Sequence, residues 1–424
     1  MLSRRIFLGS ALASGGAAYA MITGNVGAGA SQGLAPADDS GPALNAKLAA
    51  LAASGGGTLQ LGDGVYGTRV PIILPGGVTI AGTGKTIVRA IAPIGNDALK
   101  RSLVETPDGQ TGCGIRDLTL DCAGNVAMAA WNATAPDTLT CDGVTIIGWK
   151  YGLYFVSSDT RPAQNISITN TTVRDGAGVQ IYPIFVSSTI GGQAVRNVSM
   201  DGVTVLGTGG SYSAENAATA DQIAFQNVQG FSLANIVSRN GGENGISIVR
   251  GSRDGTMRNV TVTGSDGHGL QIGGGGVVAT VDNPAAFQAD TPSLGMTSHG
   301  EAKVLRVVGN QVWLGGIKRH QLQVGERLLG AFGGAKITAL EFCRNISLDG
   351  YVADGNGLNR AGIRGAFADL YISQAEDISL AGLDLRSPAP TYPLLVNNSR
   401  DVPCTVSTAQ GRIEARRTGT VTCA

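Results

Sequence analysis

The stretch Asp221–Gly276 reads DQIAFQNVQGFSLANIVSRNGGENGISIVRGSRDGTMRNVTVTGSDGHGLQIGGGG, and it decides the fold. Short apolar runs recur in it, separated by Gly and Asn turns, which is the pattern of a stacked β architecture. Asp221, Glu243 and His268 fall about one repeat apart within the same stretch. The reading is a right-handed parallel β-helix that carries a binding groove on this segment.

Working outward, an apolar–Ser/Thr–apolar tag returns along the chain. It begins at Val78, Leu118, Val144, Ile166, Val198, Phe231, Val260, Ile346 and Ile378. From Leu118 onward all but one of the intervals suit a single solenoid coil of roughly 20–35 residues. Asn165, Asn197, Asn259 and Asn345 each precede a tag, and Asn at a recurring corner tolerates the left-handed conformation. A second, Gly-led strand starts at Gly152, Gly178, Gly245, Gly269 and Gly362, so each coil carries at least two parallel strands. The exceptional interval of 86, from Val260 to Ile346, leaves an excursion at about 279–338. Its pattern is ordinary hairpin β, with Gly309-Asn310 as a turn. Long insertions between coils commonly wall a binding face.

Composition agrees. The 424 residues include 64 Gly, with only 5% aromatic and 15% charged residues, which suits tight-turned β structure and not a helical bundle or a disordered chain. Net charge is zero, so nothing global points to nucleic acid. Six cysteines are present without a C-x-x-C pair, which argues against zinc, and Cys404 and Cys423 bracket what reads as a terminal hairpin over 401–424.

The start of the chain reads as a targeting segment. Ser3-Arg4-Arg5-Ile6-Phe7-Leu8, a Gly/Ala-rich apolar stretch and Ala18-Tyr19-Ala20 resemble a twin-arginine export signal over 1–30. The expectation is a periplasmic or secreted protein that meets the twin-arginine machinery and has no membrane span once mature. Next, Ser40 or Asp39 can cap a helix over 40–53, with Leu44, Leu48 and Leu51 on one stripe. Gly55-Gly56-Gly57-Thr58-Leu59-Gln60-Leu61 comes after it, then Gly64-Val65-Tyr66. This run resembles the opening of pectate-lyase-superfamily β-helix proteins, which implies that the helix covers the end of the solenoid. The expected domain order is 31–278 for the cap and first coils, the excursion, 339–400 for the last coils, and the terminal hairpin.

A finer resemblance lies in the motif order. Asp221, then Gly242-Glu243-Asn244-Gly245-Ile246-Ser247-Ile248, then Gly267-His268-Gly269, is similar to the N-T-D, G-D-D-C and G-H-G series of polygalacturonase-type glycoside hydrolases. Gly362-Ile363-Arg364 stands where that family has R-I-K. The chain departs in having Thr219-Ala220 for N-T, Asn244 for the second carboxylate, and only Arg364 of the basic tripeptide. The resemblance implies an exported hydrolase of an acidic polysaccharide with Asp221, Glu243 and His268 catalytic. Inversion at a glycosidic bond needs one carboxylic acid and one carboxylate, and a like-charged neighbour raises one of the two pKa values. Arg250, Arg253, Lys318, Arg319, His320 and Arg364 are the expected holders of substrate carboxylates. No cofactor is expected. Two other readings stand beside this one: a polysaccharide lyase, for which Ca²⁺ is a possible cofactor, and a non-catalytic envelope or adhesion β-helix. The register expected is that Glu243 and His268 are equivalent, with all three residues on one face within about 10 Å, given a coil rise of ~4.8 Å.

Overall fold

The computed structural model describes residues 34–94, 102–124, 129–176, 182–188, 192–207, 221–274, 277–287, 294–296, 300–315, 322–357, 367–397, 399, 402–409, 414–416 and 421–423. Two sheets, of sixteen and eleven strands, form the body. Neighbouring strands come from successive coils and pair in parallel, as in Ile223↔Ile246, Ile246↔Leu270 and Leu270↔Leu370. The architecture is a right-handed parallel β-helix, nearly all β. Its interior is filled by apolar columns. Trp131, Leu153, Ile184, Ile223, Ile246 and Leu270 stack in register and are fully buried. Each such side chain contributes about 1.5–3 kcal/mol relative to exposure.

The larger sheet turns a corner within its strands. In Val228–Arg239, Arg253–Thr263, Cys343–Asp354 and Ala375–Leu385 the bend falls at Asn235, Asn259, Gly350 and Gly382, with φ of 53°, 53°, 70° and 60°. These four residues are in register with one another. Only Gly, or Asn and Asp with their local hydrogen bonds, takes this conformation cheaply. The amides also chain: Asn259 Nδ2 donates to Asn235 Oδ1 at 3.2 Å, and Asn235 Nδ2 donates to Asp201 Oδ1 at 2.7 Å. A second corner repeats the device, with Asn197 donating to Asn165 at 3.0 Å and Asn165 to Asp137 at 2.8 Å.

This register corrects the tag series. The tags at Ile166, Val198, Phe231, Ile346 and Ile378 share one column, in which Gly255-Thr256-Met257 is the intervening member. Those at Leu118, Val144 and Val260 belong to the other arm of the bent sheet. Apolar–hydroxyl–apolar triplets line both arms, so the sequence pattern merges two columns into one.

At the start, Gly41–Ala53 is the capping helix, and its Leu44 and Leu48 join the core beside Leu61 and Tyr66. Ser40 stands at the N-cap without a side-chain cap bond; its hydroxyl donates to Ala37 O at 3.2 Å. At the other end, Val402–Ala409 and Val421–Cys423 pair in parallel with each other and continue the stack, so this end is not a hairpin. Cys404 is disulfide-bonded and faces Cys423 in register, while Cys113, Cys122, Cys141 and Cys343 are free and buried. Among the described residues, no helix is long and apolar enough to cross a membrane.

Between the strands Leu270–Gly273 and Cys343–Asp354, the chain leaves the solenoid to form a closed six-stranded antiparallel barrel spanning Val277–Glu341. It closes by pairing Val277–Val281 with Gly333–Glu341 and has its own core of Val281, Phe287, Val304, Leu314, Leu328 and Ile337. Arg306 makes two bonds to the carboxylate of Asp159, and Arg253 pairs with Glu341 at 3.1 Å, tying the barrel to the coils.

The corner column can be tested at Asn235. We expect Asn235→Ala, which loses both amide bonds and the tolerance of positive φ, to cost about 1–3 kcal/mol by urea unfolding. Asn235→Gly keeps the backbone freedom and should cost less. Equal losses in the two variants would mean that backbone conformation is not what the corner demands.

Candidate active site

The site is built at the leading ends of four strands of the smaller sheet: Ile223–Gln226, Ile246–Val249, Leu270–Gly273 and Ala368–Ser373. Ladder bonds fix what stands above what. Gln222 N donates to Asn244 O, Gly245 N to His268 O, and Gly269 N to Ala368 O. The column is therefore Asp221, Asn244, His268, Ala368. Asp221, Glu243 and His268 do come from three successive coils at one edge of the sheet. Asn244 is nevertheless the register equivalent of His268, and Glu243 precedes that position by one residue, which corrects the expected equivalence of Glu243 and His268.

Asn244 is the hub. Its backbone N–H and its Nδ2 both donate to Asp221 Oδ1, at 3.3 and 2.9 Å. Nδ2 also lies 3.3 Å from Ser247 Oγ and 3.2 Å from Gln271 Oε1. Asn244 Oδ1 accepts the backbone N–H of His268 at 2.8 Å. Ser247 adds a further hydrogen bond to Asp221. In the sequence, Asn244 reads only as a missing carboxylate, and Ser247 and Gln271 only as strand residues.

The electrostatics separate the two acids. Asp221 and Glu243 are half-buried neighbours. Burial pushes the Glu243 carboxyl up to about 8, and the negative charge of Asp221 adds to this. Burial also raises Asp221, to about 6, against the pull of its bonds from Ser247 and Asn244. These unlike surroundings favour the carboxylate form at Asp221, which is hydrogen-bonded, and the carboxylic acid form at Glu243.

His268 is positioned from the coil beyond the barrel. Its Nδ1 accepts the backbone N–H of Ala368 at 3.0 Å, and its ring stacks on Tyr371 with centroids 4.4 Å apart and planes 16° apart. Phe367 meets it edge-on at 5.5 Å. Burial lowers its pKa to about 4, so the ring is neutral near pH 7. With the Nδ1 lone pair occupied, the proton resides on Nε2, and His268 offers a hydrogen bond to a ligand.

The strand that carries Ala368 and Tyr371 is held in place by Asp369 between them. The buried carboxylate of Asp369 accepts Asn356 Nδ2 at 2.9 Å, Ser387 N at 3.0 Å and the Ser387 hydroxyl, while its backbone carbonyl accepts the Tyr351 hydroxyl at 2.8 Å. Asp369, not Gly362, stands in the register of Gly269. The strand Asp369-Leu370-Tyr371-Ile372 repeats Gly245-Ile246-Ser247-Ile248, and that repeat is the sequence signal that could have found Tyr371.

Arg250 and Arg253 do not join the site. Arg250 comes just past the trailing end of Ile246–Val249, and Arg253 is engaged with Glu341 and Asp254. The barrel departs from that trailing edge, after Gly273. Lys318, Arg319, His320 and Arg364 lie outside the described residues. Among the described residues, no cluster of His, Cys, Asp and Glu could hold a metal ion.

No family model matches the chain, and no curated protein matches it. Solved structures similar to it include the A-module of the Azotobacter vinelandii mannuronan C-5 epimerase AlgE4, at 14% identity, covering 92% of this chain and 98% of that one with a TM-score of 0.40. The AlgE6 A-module of the same organism matches at 15% identity, over 93% and 84%, with a TM-score of 0.39. The tailspike protein of the E. coli bacteriophage HK620, in complex with a pentasaccharide, matches at 11% identity, over 92% and 62%, with a TM-score of 0.46.

The raised Glu243 pKa has a consequence for stability. Its contribution is fully present below its unfolded value near 4.5 and is lost as pH rises through about 8. His268 acts oppositely, its contribution being lost as pH falls from 6.5 through about 4. Glu243→Gln should therefore lose less stability than the unmodified protein between roughly pH 5 and roughly pH 9, by urea unfolding. Identical slopes would show that Glu243 ionises in the folded state as freely as in the unfolded one.

Proposed function

We propose that the protein is a carbohydrate-active enzyme that hydrolyses a polysaccharide, with Glu243 as general acid and Asp221 as the base that activates water. The observation that carries this reading is a pair of neighbouring half-buried carboxyls in unlike surroundings, Asp221 hydrogen-bonded by Asn244 and Ser247 and Glu243 bonded by no donor among the described residues. Glu243 protonates the departing glycosidic oxygen. Asp221, kept anionic by Asn244 and Ser247, takes the proton of the attacking water. His268 donates from Nε2 to a substrate oxygen and orients the sugar; being neutral, with Nδ1 already occupied, it is not the base. The edge of stacked coils suits an extended chain, because coils rise ~4.8 Å each, close to the length of a sugar unit. Hydrolysis is favoured over elimination by the same residues. Elimination needs a cation beside the uronate, and among the described residues the candidates Arg250 and Arg253 stand at the trailing strand end, away from Asp221 and Glu243. An acidic substrate remains the expectation for a partner, and export by the twin-arginine route belongs to the same proposal.

Activity and export can each be tested. On a panel of acidic and neutral polysaccharides we expect new reducing ends without the absorbance of unsaturated uronates. The kcat/KM profile should be bell-shaped, with limbs near 6 for Asp221 and 8 for Glu243. Glu243→Gln and Asp221→Asn should each lower turnover at least about 10²-fold while folding persists. Full activity in Glu243→Gln, or unsaturated products, would end the hydrolase assignment. For export, Arg4→Lys combined with Arg5→Lys should leave the protein in the cytoplasm, since lysine does not replace the guanidinium pair in shape. Normal export of that double variant would point to another route.

A further inference from the structure

We infer that Asn244 is the positioning residue that assigns the two carboxyl roles, committing its donors to Asp221 and leaving Glu243 to carry the proton. This deepens the hydrolase reading and rests on it only for what the assignment is used for.

Asn244 is 5% exposed and lies in register between Asp221 and His268. Its amide has one available orientation. Oδ1 accepts the His268 backbone N–H at 2.8 Å, and Nδ2 donates to Asp221 Oδ1 at 2.9 Å. Turned over, the group would set its NH₂ against an N–H donor and its carbonyl against a carboxylate. Gln271 reinforces this choice. Its Nε2 is tied to Gly273 O at 3.0 Å, so it presents only its oxygen to Asn244 Nδ2. Asp221 therefore faces two donors from one residue, and Ser247 besides.

Glu243 has the opposite surroundings. Among the described residues no donor bonds its carboxyl, and the nearby charge is that of Asp221. The titratable groups of this corner are Asp221, Glu243, His268 with Tyr371 behind it, and Asp266 in the turn that leads to His268. Asn244 is the amide that separates them, and it does not itself titrate. A carboxylate at that position would still accept the His268 N–H. It would withdraw the Nδ2 donor, however, and set a third acid against Asp221.

The test tracks the carboxyl carbons of ¹³C-labelled Asp and Glu by NMR across pH. The full chain is compared with Asn244→Ala and Asn244→Asp, and Asp221→Asn and Glu243→Gln assign the two resonances. In the unmodified protein the higher-titrating of the two should vanish in Glu243→Gln. In Asn244→Ala the Asp221 midpoint should move up by about one pH unit or more, the scale of a lost charge-assisted hydrogen bond. Asn244→Asp preserves the shape and the acceptor for His268, so it carries the test if Asn244→Ala fails to fold; it too should raise the Asp221 midpoint. Loss of a merely structural residue would lower stability and leave the Asp221 midpoint in place. An unmoved Asp221 midpoint in either folded variant, or a higher-titrating resonance that belongs to Asp221, would overturn the inference. Failure of the hydrolase reading is seen separately, as absence of turnover with the titration order unchanged.

Discussion

Everything in this protein depends on each coil returning in register with the coil beneath it. Parallel strands have no hairpin to set their alignment, and a slip of one residue would exchange the inward and outward faces. The corners supply the alignment. Asn235 can donate to Asp201, which precedes the bend residue Gly202 of its coil, and accept from Asn259 only when the three coils turn at the same level. A corner residue thus reads the position of its neighbour through a side-chain bond as well as through the backbone. Stability is then close to a sum over nearest-neighbour coils.

The acid–base site is a local exception written on that regular frame. The column that the register dictates holds Asp221, Asn244 and His268, three polar groups at a sheet edge where other coils place Tyr151, Ala368 or Tyr392. Two acids stacked directly would repel each other in register. The frame instead puts an amide at the middle position and lets Glu243 approach Asp221 from one residue away. Among the described residues no cation partners the two carboxyls; burying them in this way is unfavourable, and a long apolar core offsets that cost. Strain of this kind is the physical condition for keeping one acid protonated near pH 7.

Much of the fold was legible because a solenoid repeats its instructions. Gly-rich turns, alternating apolar residues and the capping helix each recur or have one plain reading. What misled was degeneracy: Val144-Thr145-Ile146 and Ile166-Ser167-Ile168 are alike in sequence but occupy different arms of the bent sheet. The barrel was visible as hairpins. Its closure was not, because Val278 meets Glu341 across most of the insertion, and such pairings leave no local trace. The acids of the site were legible as acids. Arg250 and Arg253 fall away from the site because charge in a sequence carries no direction: Arg250 lies just past the trailing end of Ile246–Val249, and Arg253 opens the next strand. Asn244 was undervalued because comparison with a carboxylate pattern asks what is missing, whereas hydrogen bonding asks what an amide can donate.

The position of the insertion is set by the same register. His268 takes its orientation from the coil after the barrel, through the Ala368 N–H and the Tyr371 ring. That coil must therefore stack directly on Leu270–Gly273, although the whole barrel intervenes in sequence. The chain satisfies this by leaving the solenoid at Gly273, the strand end remote from His268, and by anchoring the barrel there through Arg253 and Glu341. It then resumes the larger sheet at Cys343, in register with Arg253–Thr263. Asp369 completes the arrangement, its buried carboxylate binding Asn356 and Ser387 on either side of the returning strand. An insertion one turn earlier, between His268 and its strand, would have parted the imidazole from the backbone amide that fixes its tautomer. The solenoid can thus carry a second folded unit without disturbing the edge where the two carboxyls meet.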